Sequence, residues 1–562
     1  MDNKLVNGLI NPANADDNGP EIANTTTKES ASFDSSEDNY YEPKENLNTE
    51  SCDLNEEGLN ALTDANGEKE PPDRKLVEKN KSAKKNIIFN ILFKLTVVLP
   101  PLIVIPYLSR TLGPTALGNY EFALSITTYF CLFATLGVGF YGQREIAKYK
   151  GDKSKQTKVF CEIFLLRFIF VAITTIIDVF IVAFGVFGNN TNLMWINLIR
   201  LFAITFDLSY FFNGHENFAI FFVRNFIVRT LSLASIFLFV KGENDVLIYA
   251  LIMGLEVLVA NISIFPYLKK YVRRFFGKLN LKVHFVPILR LFIPTLAINL
   301  YTTFNKTTIG IIGMAEEVSY FAQGEKIINA CLLLVTSITP VLVPRMVNAY
   351  HSNDTTSANQ MLTKSFKFMF FLTVPLMFGI IAVSRLFVPF FFSESFNPTI
   401  QVLMIFPIAL YPVCISNVIG IQYLIPANKD KEFTWSILLG VFVSMALSIT
   451  FTIMWGFVGT TIAHVVTEIV VALAQMYYMR RDFSPIKIIK FSLKYLLVGA
   501  VMFAAVFISS YFLKPDAIGI LILVSEGVMV YTIGMLLAKD ENMREIILLI
   551  KKIIKKSKGP VN

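Results

Sequence analysis

The chain has 562 residues, of which 54% are hydrophobic and only 17% are charged, with 51 Lys and Arg against 43 Asp and Glu. A soluble protein of this size has too little interior for so many apolar side chains, so the composition predicts a membrane protein. The five cysteines lie far apart and form no CxxC pair, which argues against a zinc site, a disulfide framework or a metal enzyme.

The first 73 residues are acidic, with 18 Asp and Glu against 4 Lys and Arg, a net charge of −14. They show almost no apolar periodicity and cannot bury enough surface to offset the entropy of ordering. We therefore predict a disordered cytoplasmic tail over residues 1–73. The basic juxtamembrane segment 74–86 directly precedes the first apolar run and predicts that the chain enters the membrane from the cytoplasmic side.

Beyond residue 86, apolar stretches of about 20 residues recur, each long enough to cross about 30 Å of hydrocarbon. We predict an all-α polytopic membrane protein with about fourteen transmembrane helices. Two of the predicted spans, 433–455 and 457–478, are separated only by Gly456. The predicted organisation is a six-helix bundle over 87–268, a second over 286–479, two additional helices over 489–538 and a basic cytoplasmic tail over 539–562.

Loop charges predict the orientation. The loops at 148–158, 269–282 and 480–487 are basic, whereas the alternate loops hold few Lys or Arg. Because basic loops stay on the cytoplasmic side, both termini are predicted to be cytoplasmic. A faint repeat also relates the two halves, since Gly113 and Tyr120 have counterparts in Gly313 and Tyr320 at the same offset.

Ionisable residues within the spans are the candidates for function, because each is costly if it faces lipid. Lys306 and Lys326 are predicted at similar depth on adjacent helices, with Glu325 beside them as a counter-ion or proton site. The two amines could form a cationic patch for a phosphate or diphosphate, or a Glu–Lys pair could only hold helices together. Both interpretations stay open on the sequence.

Several segments together resemble the Wzx-type oligosaccharide and polysaccharide flippases, over nearly everything after residue 86. The resemblance implies a helical transporter of two six-helix bundles and two further helices that turns undecaprenyl-diphosphate-linked repeat units to the outer leaflet by alternating access. Asn305 departs from the family pattern, which often has Asp before the Lys, and this weakens an ion-coupling role there. The matching segments include PYLSRTLGPTALGNYEFALSI from Pro106, DLSYFFNGHENF from Asp207, IPTLAINLYTTFNKTTIG from Ile293 and SNVIGIQYLIPANKDKEF from Ser416.

We therefore expect a lipid-linked oligosaccharide flippase in a bacterial plasma membrane, with no catalytic residues, metal or cofactor and no affinity for nucleic acid. Proton or sodium coupling and contact with polysaccharide-assembly proteins stay open. The alternatives are a drug or small-molecule extruder of the same fold, a membrane-embedded polymerase or ligase, and a scaffold that recruits partners through its acidic tail. The residues expected to attract the diphosphate are Arg110, Arg144, Lys306 and Lys326, and those expected to bind a proton or ion are Glu121 and Glu325.

Overall fold

The structure is a computed structural model that describes residues 100, 103–215, 218–273, 277–336, 339–352 and 354–548. The predicted acidic tail, the basic segment after it and most of the first predicted span lie outside the described residues, as does the end of the predicted basic tail. Within the described ranges the regular structure is helical throughout.

The amino-terminal half begins with a run of helices whose ends follow local sequence signals. Gly113 adopts a φ of +72° just before Pro114, which occupies the first turn of α2. Asp152 caps α4 by accepting hydrogen bonds from the backbone N–H groups of Ser154 and Lys155, at 3.0 and 3.1 Å. The helices are α1 (103–111), α2 (Gly113–Thr135), α3 (Val138–Lys148), α4 (Lys153–Ala183), α5 (Thr191–Ala203), α6 (Ser209–Gly214), α7 (Phe218–Phe239), α8 (Val246–Ile262) and α9 (Phe265–Leu268).

The carboxy-terminal half contains longer helices. Asp354 and Asp516 cap α13 and α18 through the backbone N–H groups of Ser357 and Gly519, at 2.9 and 2.7 Å. A π-helical turn at Gly420–Leu424 follows α15. The helices are α10 (Lys282–Ile312), α11 (Ala315–Thr336), α12 (Thr339–His351), α13 (Thr355–Phe391), α14 (Thr399–Ile405), α15 (Leu410–Ile419), α16 (Asp430–Met479), α17 (Pro485–Ser509), α18 (Ala517–Leu537) and α19 (541–548).

The 50-residue α16 is a hairpin of two antiparallel helices. Its backbone leaves helical geometry at Trp455 and Gly456, where Gly456 has a φ of +58° that favours glycine. Gln475 and Ser436 lie on different arms of this hairpin, and Gln475 Nε2 donates a hydrogen bond to Ser436 Oγ at 3.1 Å. The two arms therefore lie side by side. The turn falls at the boundary between the predicted spans 433–455 and 457–478.

Nine helical stretches of the described residues are long and apolar enough to cross a membrane, and the α16 hairpin is one of them. Many of their apolar side chains face outwards, such as Phe180, Phe442 and Leu521, which are 60%, 68% and 66% exposed. Such faces suit lipid rather than water. The predicted helical multi-pass architecture is confirmed, whereas the count of fourteen spans and their grouping into two bundles stay predictions.

The two halves meet where α2 packs against α10 and α11. A Cβ atom on Gly118 would lie 1.7 Å from the backbone oxygen of Ala315, so only glycine permits this approach of α2 to α11. Nearby, Thr115 donates a hydrogen bond to Glu316 at 2.9 Å. By the predicted orientation, this contact lies on the outer side of the membrane.

The last helices are attached to α13 and to each other. Buried Asp540, just before α19, accepts a hydrogen bond from the Tyr495 hydroxyl at 2.8 Å and pairs with Lys494 on α17. Lys367 on α13 pairs with Glu541 at 2.9 Å. These contacts fix the end of α18 and the start of α19 against the rest of the chain.

Candidate functional site

Four charged side chains of alternating sign form a continuous cluster between α2, α10 and α11. Lys326 Nζ lies 2.6 Å from one carboxylate oxygen of Glu121, and Lys306 Nζ lies 3.8 Å from the other. Lys306 also pairs with Glu325 at 3.0 Å. Glu121 is only 2% exposed, so it is a buried carboxylate shared by two ammonium groups from the other half of the chain.

The positions of these residues along their helices explain the meeting. Glu121 lies eight residues after the start of α2, and Lys306 lies six residues before the end of α10. At 1.5 Å per residue both are about 9 to 12 Å from the same side of the helix group. Lys326 lies one turn deeper on α11, and its side chain reaches Glu121 while neighbouring Glu325 turns towards Lys306.

The cluster is electrically balanced, since it contains two lysines and two glutamates. This differs from the predicted cationic patch, in which Glu325 alone would accompany the two amines. The added carboxylate is that of Glu121, which comes from the other half of the chain. Its presence means that an anion entering here must compete with a carboxylate for the two ammonium groups.

A cavity of about 190 Å³ adjoins this cluster, and we call it the central cavity. Arg229 and Glu256 form an ion pair of 2.5 Å in its wall. Among the described residues that line the cavity, three basic side chains face two acidic ones, so its walls carry one excess positive charge. Its polar lining residues are Tyr120, Glu121, Arg200, Arg229, Ser232, Tyr249, Glu256, Gln323 and Lys326.

Several polar groups of the central cavity keep donors available. Arg200 has no carboxylate within ion-pair distance among the described residues, and its buried Nε has no hydrogen-bond acceptor there. The amide nitrogen of Gln323 and the hydroxyl of Ser232 are likewise buried without a hydrogen-bond partner in the described part of the chain. These donors could bind an anion or a hydroxyl-rich ligand.

The structure brings together four of the six residues singled out on the sequence: Glu121, Lys306, Glu325 and Lys326. The other two lie elsewhere. Arg110 is exposed and donates a hydrogen bond to the backbone oxygen of Phe390. Arg144 is exposed on α3, with its guanidinium 5.8 Å from the ring centre of Tyr141. Neither arginine lines the central cavity, and the binding roles of all six residues stay predictions.

Three further charged residues of the cavity were not selected on the sequence: Arg200 on α5, Arg229 on α7 and Glu256 on α8. Each is an ionisable residue within an apolar span, which marks it as a candidate. The sequence of one helix does not reveal which neighbour its charged face meets, so many such residues looked alike. Only the packing of α5, α7 and α8 places these three at one cavity.

A second polar cluster lies beside Lys306. The Ser448 hydroxyl donates to Asn305 Oδ1 at 2.6 Å, and the Asn305 amide lies 3.2 Å from His464 Nδ1. His464 Nε2 is 3.8 Å from Glu468. Asn305 therefore joins α10 to both arms of the α16 hairpin. Within the described residues, no group of three or more His, Cys, Asp and Glu side chains is placed to hold a metal ion.

Comparisons with known proteins bear on this architecture. A family model described as "Polysaccharide biosynthesis protein" matches residues 83–350. A protein of Escherichia coli (strain K12) named "Putative O-antigen transporter" is 24% identical over 407 residues, which cover 71% of this chain and 97% of that protein.

Two solved structures share the fold at low sequence identity. A lipid II flippase MurJ in an inward closed conformation superposes with a TM-score of 0.66 and 18% identity, over 81% of this chain and 99% of that one. An inward-facing multidrug resistance transporter of the MATE family superposes with a TM-score of 0.55 and 17% identity, over 71% of this chain and 94% of that one. In sequence and in fold, the chain is thus a helical membrane-spanning protein that resembles the Wzx-type polysaccharide flippases.

Proposed function

We propose that this protein moves polyprenyl-diphosphate-linked oligosaccharide repeat units from the cytoplasmic to the outer leaflet of a bacterial plasma membrane. It does so as a transporter of about fourteen helices with both termini in the cytoplasm. The central cavity is the main support for this proposal. Its excess of positive charge suits a diphosphate, and its buried donors suit sugar hydroxyls.

The buried charge cluster supplies a way to couple binding to alternating access. Glu121 belongs to the amino-terminal half, and its partners Lys306 and Lys326 belong to the carboxy-terminal half. A diphosphate that binds the two lysines replaces Glu121 as their counter-ion. The ion pairs that hold the halves together on the predicted outer side are then lost, so that side can open only when substrate is bound.

The released carboxylate needs a new partner. An ionised Glu121 left in a buried site is costly, and uptake of a proton or a sodium ion would neutralise it. Glu325 pairs with Lys306 at 3.0 Å. When a diphosphate binds Lys306, Glu325 also loses its counter-ion and could take up a proton or a sodium ion. Both glutamates are thus proposed as coupling sites in the transport cycle.

The second candidate function is an extruder of small molecules. The likeness in fold to a MATE family transporter supports it. An extruder of cationic drugs should have a cavity with net negative charge, whereas the described lining of the central cavity has one excess positive charge. That charge favours the flippase. The chain's relatives by sequence and fold also favour transport over polymerase or ligase chemistry.

The test is transfer across reconstituted vesicles. An undecaprenyl-diphosphate-linked oligosaccharide with a labelled sugar is added to the outer monolayer of vesicles that contain the protein. Transfer to the inner monolayer is measured as the fraction of labelled sugar that a membrane-impermeant lectin can no longer bind. We expect transfer by the wild type, and none by the double variant Lys306→Gln and Lys326→Gln. Lys153→Gln, at an exposed position at the start of α4, is the matched control and should retain wild-type transfer.

Two outcomes would overturn the proposal. Wild-type vesicles that expel a cationic dye but transfer no lipid-linked sugar would establish the extruder instead. Transfer at the wild-type rate by the double lysine variant would remove the charge cluster from the mechanism.

A further inference from the structure

A second cavity of about 190 Å³ lies between α7 and α8, and we call it the side cavity. It shares one wall with the central cavity, because the Arg229–Glu256 ion pair lines both. Its other polar lining residues are Arg224, Asn225 and Asn261. The two cavities thus have the Arg229–Glu256 pair in common.

The side cavity lies deeper towards the predicted cytoplasmic side. Arg224 is five residues before Arg229 on α7, which is about 7.5 Å along the helix axis. The structure places Arg224 in the wall of this cavity, where its Nη2 donates to Asn225 Oδ1 at 3.0 Å.

The lining has the chemistry of a phosphate site. Among the described lining residues, two guanidinium groups accompany one carboxylate, and the paired N–H donors of a guanidinium match phosphate oxygens. The amides of Asn225 and Asn261 add further polar groups, although the Asn261 side chain already donates to the backbone oxygen of Ala203 at 2.9 Å. A cationic ligand would meet one excess positive charge among the described lining residues and is disfavoured.

We propose that the side cavity is a second phosphate subsite, in which a lipid-linked phosphate or diphosphate displaces Glu256 from Arg229 before it passes into the central cavity. The route rests on the proposed function, whereas the binding itself needs only a phosphate group. Arg229 then binds phosphate from either cavity. When no phosphate is present, Glu256 occupies Arg229 through their ion pair.

This exchange predicts effects of opposite sign at the two ends of one ion pair. Glu256→Gln removes the competitor and should tighten phosphate binding about tenfold, the equivalent of one charge-assisted hydrogen bond. Arg229→Gln and Arg224→Gln each remove a guanidinium and should weaken binding by a similar factor. A pair that only holds α7 to α8 would give no variant with tighter binding.

Binding is measured on the full-length protein in nanodiscs made of a neutral phospholipid. The probe is undecaprenyl diphosphate without a sugar, added in increasing amounts while intrinsic fluorescence or the midpoint of thermal unfolding is followed. Arg385→Gln is the matched control, because its guanidinium lies 4.3 Å over the ring of Tyr511 and lines neither cavity. The control should bind as the wild type does.

Tighter binding by Glu256→Gln with weaker binding by Arg224→Gln supports the subsite. Equal affinities for wild type and both variants overturn it, and so does weakening by Glu256→Gln when that variant is folded. A parallel titration with phosphatidylglycerol identifies the source of the phosphate. If phosphatidylglycerol binds as tightly as undecaprenyl diphosphate, the side cavity binds the headgroups of ordinary membrane phospholipids. Its proposed place on the substrate route is then refuted.

The subsite and the proposed function can fail separately. If wild-type vesicles transfer no lipid-linked sugar yet the three variants show the expected affinities, the function is wrong and the phosphate site stands. If the wild type transfers sugar and Arg224→Gln binds and transfers at the wild-type level, the function stands and the subsite is refuted.

Discussion

Replacing Glu121 by Gln tests the charge cluster most directly. In the native cluster the carboxylate contacts Lys326 at 2.6 Å and Lys306 at 3.8 Å, and it is almost completely buried. The substitution leaves Lys306 with Glu325, but the described partners of Lys326 are then neutral oxygens, that of the new glutamine and that of Gln323 at 3.3 Å. One ammonium group is therefore left without a counter-ion among these residues.

The cost follows from burial. Removing one partner of a buried ion pair costs about 3 to 5 kcal/mol, because the remaining charge loses its compensation. The Lys326 side chain is 32% exposed and can regain some hydration, so we expect the lower end, about 3 kcal/mol. Lys326→Gln alone should also destabilise, since Glu121 would keep only its longer contact to Lys306. The double variant removes both charges and should cost less than the sum, by about 2 kcal/mol.

The assay is a double-mutant cycle by denaturant unfolding in mixed micelles, with export of surface polysaccharide, the proposed activity, as the functional readout. An exposed pair serves as the control: Thr115→Ala and Glu316→Gln, which remove a 2.9 Å hydrogen bond, should couple by less than about 1 kcal/mol. Additivity of Glu121→Gln and Lys326→Gln to within about 0.5 kcal/mol would show that the two side chains do not support each other, and would refute the coupling argument.

Three further substitutions have definite expected outcomes. Gly118→Ala should reduce both folded yield and export, because its Cβ would overlap the α11 backbone, whereas Gly139→Ala has open space around it and should leave both unchanged. Asp178→Asn should leave the midpoint of thermal unfolding equal or higher, because the carboxylate is buried without a hydrogen-bond partner among the described residues; a clear fall would contradict this. Burial raises the pKa of Asp540, but hydrogen bonds from a lysine and a tyrosine outweigh it and hold the pKa below its usual range. Asp540→Asn should therefore destabilise the protein above about pH 4, and the difference from wild type should shrink as the pH falls further. Unfolding midpoints across that pH range test the sign, and a difference that grows on acidification would contradict it.

The distance of Lys306 from the end of its helix could be predicted from the sequence, because it depends only on where that helix ends. Glycine and proline mark the start of α2, and Gly313 follows the end of α10. The helical rise then places Lys306 at a definite distance from that end. The same reasoning predicts a similar depth for Lys326, whereas α11 begins at Ala315 and places it about one turn deeper.

The partners of those lysines could not be predicted in the same way. Glu121 is 185 residues from Lys306 and 205 from Lys326 in sequence, and its role as their shared counter-ion depends on the close approach of α2 to α11 at Gly118. That approach is a property of packing between helices. Nothing within the sequence of α2 distinguishes Glu121 from the carboxylates that pair within a single half, such as Glu256 with Arg229.

The exact balance of the charge cluster has a consequence for the energetics of transport. The two positive and two negative groups sum to zero, so the cluster as a whole carries no net charge. If the lysines and glutamates are displaced equally along the field when they separate, their rearrangement is insensitive to the membrane potential, and the voltage dependence of the proposed transfer comes from the cargo and a coupling ion, at about 2.3 kcal/mol per charge and 100 mV. The steepness of that voltage dependence then reports the charges carried.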